Sequence, residues 1–123
     1  MINVCAVNAQ CVSNFIQTIW NENLHSEISA FLHDKFIDHS MPYGFFQNQH
    51  GLLLYLKEMA LRVSHTTDIL ELNEVDDFVF CKIRISAFHL SDNDTTGVEP
   101  EIIEGYRLFQ MQESKIIAHW EMI

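Results

Sequence analysis

The chain has 123 residues, with 17 Asp or Glu against seven Lys or Arg, a formal charge of -10 with its seven His neutral. That length suits one domain, and 48% hydrophobic with 20% charged residues is a globular composition, which excludes disordered and collagen-like chains. An acidic chain repels phosphate, so neither nucleic acid nor an anionic membrane surface is an expected partner.

A domain of this size buries roughly two-thirds of its unfolded surface, enough for one core and a modest pocket. Its opening, Met1-Ile2-Asn3-Val4-Cys5-Ala6, lacks a basic start and turns polar by Asn8 and Gln10, unlike a secretory signal. The longest apolar run, Leu52 to Leu56, is far short of a membrane span. Cys5, Cys11 and Cys81 are odd in number and lack metal-ligand spacing, so they read as free thiols in a reducing compartment, the cytoplasm.

From Cys11 the apolar residues Val12, Phe15, Ile16, Ile19 and Trp20 recur at helical spacing, predicting an amphipathic helix that stops at Asn21-Glu22-Asn23. Ser26 is positioned as the N-cap of a short second helix carrying Ile28, Phe31 and Leu32. Lys35 to His39 reads as a short strand, followed by a loop through Met41-Pro42-Tyr43-Gly44. Gly51 precedes a third helix whose apolar face holds Leu52, Leu53, Leu56, Met59, Ala60 and Val63. The period then changes to two. Strands are expected over Asp68 to Val75 and Phe78 to Leu90, with a tight turn at Asp76-Asp77. A solvated loop over Ser91 to Pro100 leads to strands at Glu101 to Gln112 and Lys115 to Met122, turned at Glu113-Ser114. Three helices followed by four antiparallel strands define an α+β fold with the helices on one sheet face, over residues 1–123 as a single domain.

Alternation assigns the faces. Val79, Cys81, Ile83, Ile85, Ala87 and His89 form the set expected beneath the helices. The opposite set, Phe78, Phe80, Lys82, Arg84, Ser86 and Phe88, is aromatic and basic, the character of a face covered by a second subunit. In the last strand a strict period of two places Ile117, His119 and Glu121 on one face, and Ile116, Ala118, Trp120 and Met122 on the other.

These residues carry a resemblance. Lys115-Ile116-Ile117-Ala118-His119-Trp120-Glu121 resembles the closing strand of SnoaL-like proteins, the polyketide cyclase-like branch of the nuclear transport factor 2-like cone fold. Tyr106-Arg107-Leu108-Phe109 resembles the preceding strand, Phe36-Ile37-Asp38-His39-Ser40-Met41-Pro42 the short strand ending in a pocket His, and Trp20-Asn21-Glu22-Asn23 the turn after the first helix. Together they span almost the whole chain. The resemblance implies a curved sheet around a small-molecule pocket whose mouth is partly closed by helices, a homodimer, and either cyclase, isomerase or hydrolase chemistry or a binding role without chemistry. Two departures stand out: Glu121 where the family usually has Asp, and no Gly in the Glu113-Ser114 turn.

The chemistry expected is general acid/base work on a hydrophobic carbonyl compound, with His39, His119 and Glu121 converging in an apolar cup. A desolvated carboxylate acquires a raised pKa and serves as a proton shuttle, and imidazole titrates in the working range. Glu121 is the expected shuttle, with His119 and His39 as its partners. Arg107 is either an anion clamp or a partner of Glu121. Trp20, Tyr43, Phe46, Tyr55 and His89 are the further expected ligand contacts, with Tyr43, Phe45 and Phe46 as a lid. The competing reading of each is packing: His119 with Glu121 a satisfied polar pair, His89 a core histidine, Trp20 and the loop aromatics core. His25, His33, His39, His50, His65, His89 and His119 show no His-x-His or His-x-x-x-His pairing, so neither metal nor cofactor is expected. The alternative to an enzyme is a ligand-binding or dimeric interaction module of the same fold.

Overall fold

The computed structural model describes residues 6–90 and 99–123. The opening Met1 to Cys5 and most of the loop expected at Ser91 to Pro100 lie outside the described residues. Helix α1 spans Ala6–Phe15 and continues as a π-helix over Ile16–Asn21. A 3-10 helix at His25–Ala30 leads to β1 (Leu32–Asp38), then α2 (Gln49–Ala60), β2 (Val63–Val75), β3 (Phe78–His89), β4 (Glu101–Gln112) and β5 (Lys115–Met122). The five strands form one sheet in the order β1-β5-β4-β3-β2. Strand β1 runs parallel to β5, and the other neighbours are antiparallel.

The π winding of the first helix has a packing consequence. An i→i+5 repeat widens each turn, so Phe15 and Trp20, five residues apart, both face the core together with Ile16 and Ile19. Asn21 ends the helix by gripping β2: its Oδ1 accepts from the Thr67 N–H at 2.7 Å and its Nδ2 donates to the Thr67 carbonyl at 2.9 Å. The second helix departs from expectation. Leu24 occupies its N-cap with no side-chain cap, Ser26 lies inside it, and Leu32 already belongs to β1. Helix α2 is capped by Asn48, whose side chain accepts from the Gly51 N–H at 2.9 Å. Gly51 thus sits in the first turn rather than before it. A Cβ there would collide with the Phe46 carbonyl, so the close approach of that loop requires glycine. Val63 is not on this helix but opens β2, five residues before the expected strand start.

The inner face of β3 is as alternation predicts for Val79, Cys81 and Ile83, all at 0% exposure. They pack with Phe109, Met111 and Ile116 beneath Val12, Phe15, Ile19, Leu52 and Leu56. Burial pushes the Cys81 thiol up to about 12, against the opposing pull of Arg107. The last strand corrects a face assignment. Met111 pairs with Ile116 while Gln110 pairs with Ala118, so Ile117 is an extra residue. That bulge switches the parity: Ile116 joins His119 and Glu121 on the inner face, opposite Met111, Phe109 and Arg107. The hairpin turn beside it needs no glycine, because Glu113 and Ser114 themselves adopt positive φ of 55° and 63°.

The Asn21 clamp is the tie between the end of the first helix and β2. Asn21→Ala leaves the part-buried Thr67 N–H unpaired and is expected to cost about 1–3 kcal/mol. A lowered urea midpoint with an unchanged m-value checks this; an unmoved midpoint refutes the clamp.

Candidate functional site

The curved inner face and the two helices enclose a cavity of about 240 Å³. Its polar end is built by cross-strand neighbours: Arg107 of β4 opposite Glu121 of β5, and Phe109 opposite His119. Arg107 is 1% exposed. Its Nε and Nη2 both donate to Glu121 Oε2, at 3.2 and 3.1 Å, and its Cζ lies 4.1 Å over the Trp20 ring. Burial pulls the guanidinium pKa down, and Glu121 only partly offsets that shift.

The second polar pair joins β5 to β1. His119 Nδ1 lies 3.1 Å from Asp38 Oδ2, and both residues are buried. The other carboxylate oxygen, Oδ1, accepts from the Ser40 N–H at 2.9 Å. Ser40 Oγ in turn accepts from the Glu121 N–H at 2.7 Å, fastening the end of β1 to β5. The Asp38 carboxylate accepts Nδ1–H, so the free nitrogen of a neutral His119 is Nε2, which carries the lone pair. That atom is buried without a hydrogen-bond partner among the described residues. The Phe109 ring, 4.8 Å from the imidazole, backs it. Leu52, Met59, Val63, Ile85 and Ile103 supply apolar wall, and Tyr55, His65 and Thr67 add polar atoms. Burial raises the Tyr55 hydroxyl pKa, with Glu121 adding to the shift.

Of the residues expected from sequence, Trp20, Tyr55, Arg107, His119 and Glu121 all line this cavity. His39 does not. It is exposed on the outer face, its ring stacked at 4.7 Å and 4° on Trp120, because neighbouring strand residues point to opposite faces. Asp38 takes the inner position instead. The signal was present: Asp38 shares parity with the core residue Phe36, whereas His39 does not. His89 is likewise off the site. Its side chain, on the last residue of β3, is 70% exposed and 4.0 Å from Glu101. Tyr43 and Phe46, at 105% and 73% exposure, project from their loop, and Phe45 alone turns in, edge-on to Tyr55 at 5.4 Å. His65 and Thr67 escaped notice because β2 starts earlier than the sequence suggests.

A cup formed by a five-stranded curved sheet, with a carboxylate–imidazole pair and an arginine–carboxylate pair at its base, defines a cone-fold pocket protein. No protein-family model matches the sequence, and no curated protein matches it at a significant level. Solved structures do share the fold. A putative polyketide cyclase from Bacillus cereus superimposes with a TM-score of 0.80 at 18% identity, over 94% of this chain and 73% of that one. One from Acidithiobacillus ferrooxidans gives 0.80 at 16%, over 98% and 90%. An LEH-like epoxide hydrolase from Mycobacterium tuberculosis gives 0.77 at 12%, over 97% and 84%. The chain therefore has the fold of these structures. At these identities the likeness extends to the fold alone. No helix among the described residues is long and apolar enough to cross a membrane.

His65 meets the Trp20 ring edge-on at 6.1 Å. Burial, then Arg107 and His25, lower its pKa from the usual 6.5. Burial, then Lys57, lower that of His25. A histidine lowered by folding binds its proton more readily in the unfolded chain. Stability is therefore complete above the ordinary value and falls as pH drops below it. The melting temperature is expected to decline on acidification through that window, more steeply in the native protein than in His65→Gln. Equal slopes in thermal melts by circular dichroism would remove His65 from the account.

Proposed function

We propose that this protein is a small-molecule enzyme of the general acid/base type, in which His119 Nε2 takes a proton from the carbon beside a carbonyl of a hydrophobic compound. The observation that carries this reading is the Asp38–His119 pair: one ring nitrogen is held by a buried carboxylate at 3.1 Å, the other is buried with no partner among the described residues, and His119 lines the cavity. The carboxylate sets the tautomer and stabilises the imidazolium that proton abstraction creates. Glu121, the shuttle suggested by sequence, has Oε2 committed to Arg107; in this proposal it anchors the guanidinium while His119 moves the proton. The unpaired thiols of Cys11 and Cys81 support a cytoplasmic setting.

The test is α-proton exchange of small cyclic ketones in D2O, followed by NMR. His119→Ala is expected to slow exchange on the order of 10²–10⁴-fold, and Asp38→Asn to slow it with the fold retained. Glu121→Gln is expected chiefly to destabilise, since it leaves a buried guanidinium without its counter-charge, a loss of about 3–5 kcal/mol. Exchange that survives His119→Ala but vanishes in a folded Glu121→Gln would return the proton to Glu121. Ligands that bind without any exchange above the buffer rate would make the protein a binding module.

We also infer that a second copy covers the outer face. Phe80 stacks on Tyr106 at 5.2 Å and Phe78 approaches Trp120 at 6.5 Å, an aromatic row with Tyr106 still 40% exposed. Sedimentation at micromolar concentration should show a dimer that Tyr106→Lys dissociates; a native monomer would overturn the assignment.

A further inference from the structure

The sheet ends at β2, and no strand among the described residues pairs with its far side. The register shows which peptide groups are left over. The Arg62 carbonyl accepts from the Leu90 N–H at 2.8 Å, and in an antiparallel ladder only every second residue bonds to the neighbouring strand. Counting by twos, Ser64, Thr66 and Asp68 bond to β3, while Val63, His65, Thr67 and Ile69 turn their N–H and C=O groups outward. Such a row is a template for another chain, and folded proteins blunt it with charges, bulges or a covering element.

Each half of β2 is protected differently. The far half carries Asp68, Glu71 and Glu74, and its register slips between Ile69 and Glu71, so it is both charged and kinked. The near half, Val63-Ser64-His65-Thr66-Thr67, has no Asp, Glu, Lys or Arg and includes three β-branched residues. What stands against this half is Asn21. Its Oδ1 accepts from the Thr67 N–H at 2.7 Å and its Nδ2 donates to the Thr67 carbonyl at 2.9 Å, the same two bonds that an added strand makes to an outward residue. The other Nδ2 hydrogen goes to Gln17 Oε1 at 3.1 Å, one helical turn back, which holds the carboxamide in that orientation.

We propose that Asn21 plugs the uncharged stretch of the β2 edge against a second copy of this chain, whose own Val63–Thr67 segment otherwise adds antiparallel to it. The stretch is self-complementary. In the register that joins outward groups to outward groups, His65 meets His65 of the second copy, Val63 meets its Thr67, and Arg62 meets its Asp68, an opposite-charge pair. Thr67 is therefore needed at both ends of that pairing, and in each copy Asn21 already occupies it. This edge is separate from the outer-face contact inferred above, which rests on the aromatic side chains of β3, β4 and β5.

Two substitutions separate a plug from a residue that only stabilises. Asn21→Ala removes both bonds and leaves the edge bare. Asn21→Asp keeps the bond from the Thr67 N–H, sets its second oxygen against the Thr67 carbonyl and adds a charge at the edge. Both are expected to lower the melting temperature followed by circular dichroism. In sedimentation velocity over a concentration series, Asn21→Ala is expected to reach at least double the native mass, with an infrared band of intermolecular strands. Asn21→Asp is expected to keep the native size. Thr66 is exposed in the middle of the stretch, and adding Thr66→Lys is expected to return Asn21→Ala to the native size, because an edge charge opposes pairing. If Asn21→Ala does not fold, Asn21→Ser, which can replace one of the two bonds, carries the same comparison. Native size for the uncharged variant at every concentration, association of Asn21→Asp equal to that of Asn21→Ala, or association untouched by Thr66→Lys would each overturn the plug.

Discussion

On the inner face of β4 the Arg107 guanidinium has given up its water, and a charge in that position is tolerable only if protein groups replace the lost hydration. Three elements meet to do so. Antiparallel register brings Glu121 of β5 directly opposite, and the π-helical end of the first helix lays Trp20 across the guanidinium face. Asn21, the next residue, holds that helix end on β2 through Thr67. The compensation is incomplete, because Nη1 has no partner among the described residues. Arg107 is thus both a structural centre and a lining residue of the cavity.

A single inserted residue governs how β5 contributes to this. The bulge at Ile117 lets Ile116 fill the core under Phe31 and Met111 while His119 and Glu121, an odd number of residues further on, still face the cavity. Without it the strand could serve the core or the site, but not both. Its neighbour β1 is irregular between Leu32 and Ile37 as well, and the pairing that resumes at Asp38 and His119 brings the carboxylate to the imidazole. Two local departures from regular pairing thus create the dyad. Trp120 is left on the outer face, where it stacks with His39.

Four ionisable residues of the cavity gather on adjacent strands. Asp38, His119, Glu121 and Arg107 sit where β1, β5 and β4 run side by side, while α2, β2 and β3 supply apolar side chains such as Leu52, Val63 and Ile85 together with Tyr55, His65 and Thr67. Burial of this kind strengthens each polar contact among these residues.

The α+β class, the strand hairpins, the inner set of β3 and the cavity positions of Trp20, Tyr55, Arg107, His119 and Glu121 were all legible in the sequence. They are expressed by periodicity, turn residues and the ordered motifs of the closing strand, which are local properties of the chain. What only the tertiary structure decided concerns contacts between strands. The partner of His119 is Asp38 rather than His39, because the parallel pairing of β1 with β5 determines which residue arrives there. Ile116 lies inside because of a bulge that no period of two can express. His89 is exposed at the end of β3, and Tyr43 and Phe46 are exposed in a loop whose backbone packs against Gly51. A residue's type and period are written along one strand, whereas register and bulge belong to pairs of elements distant in sequence.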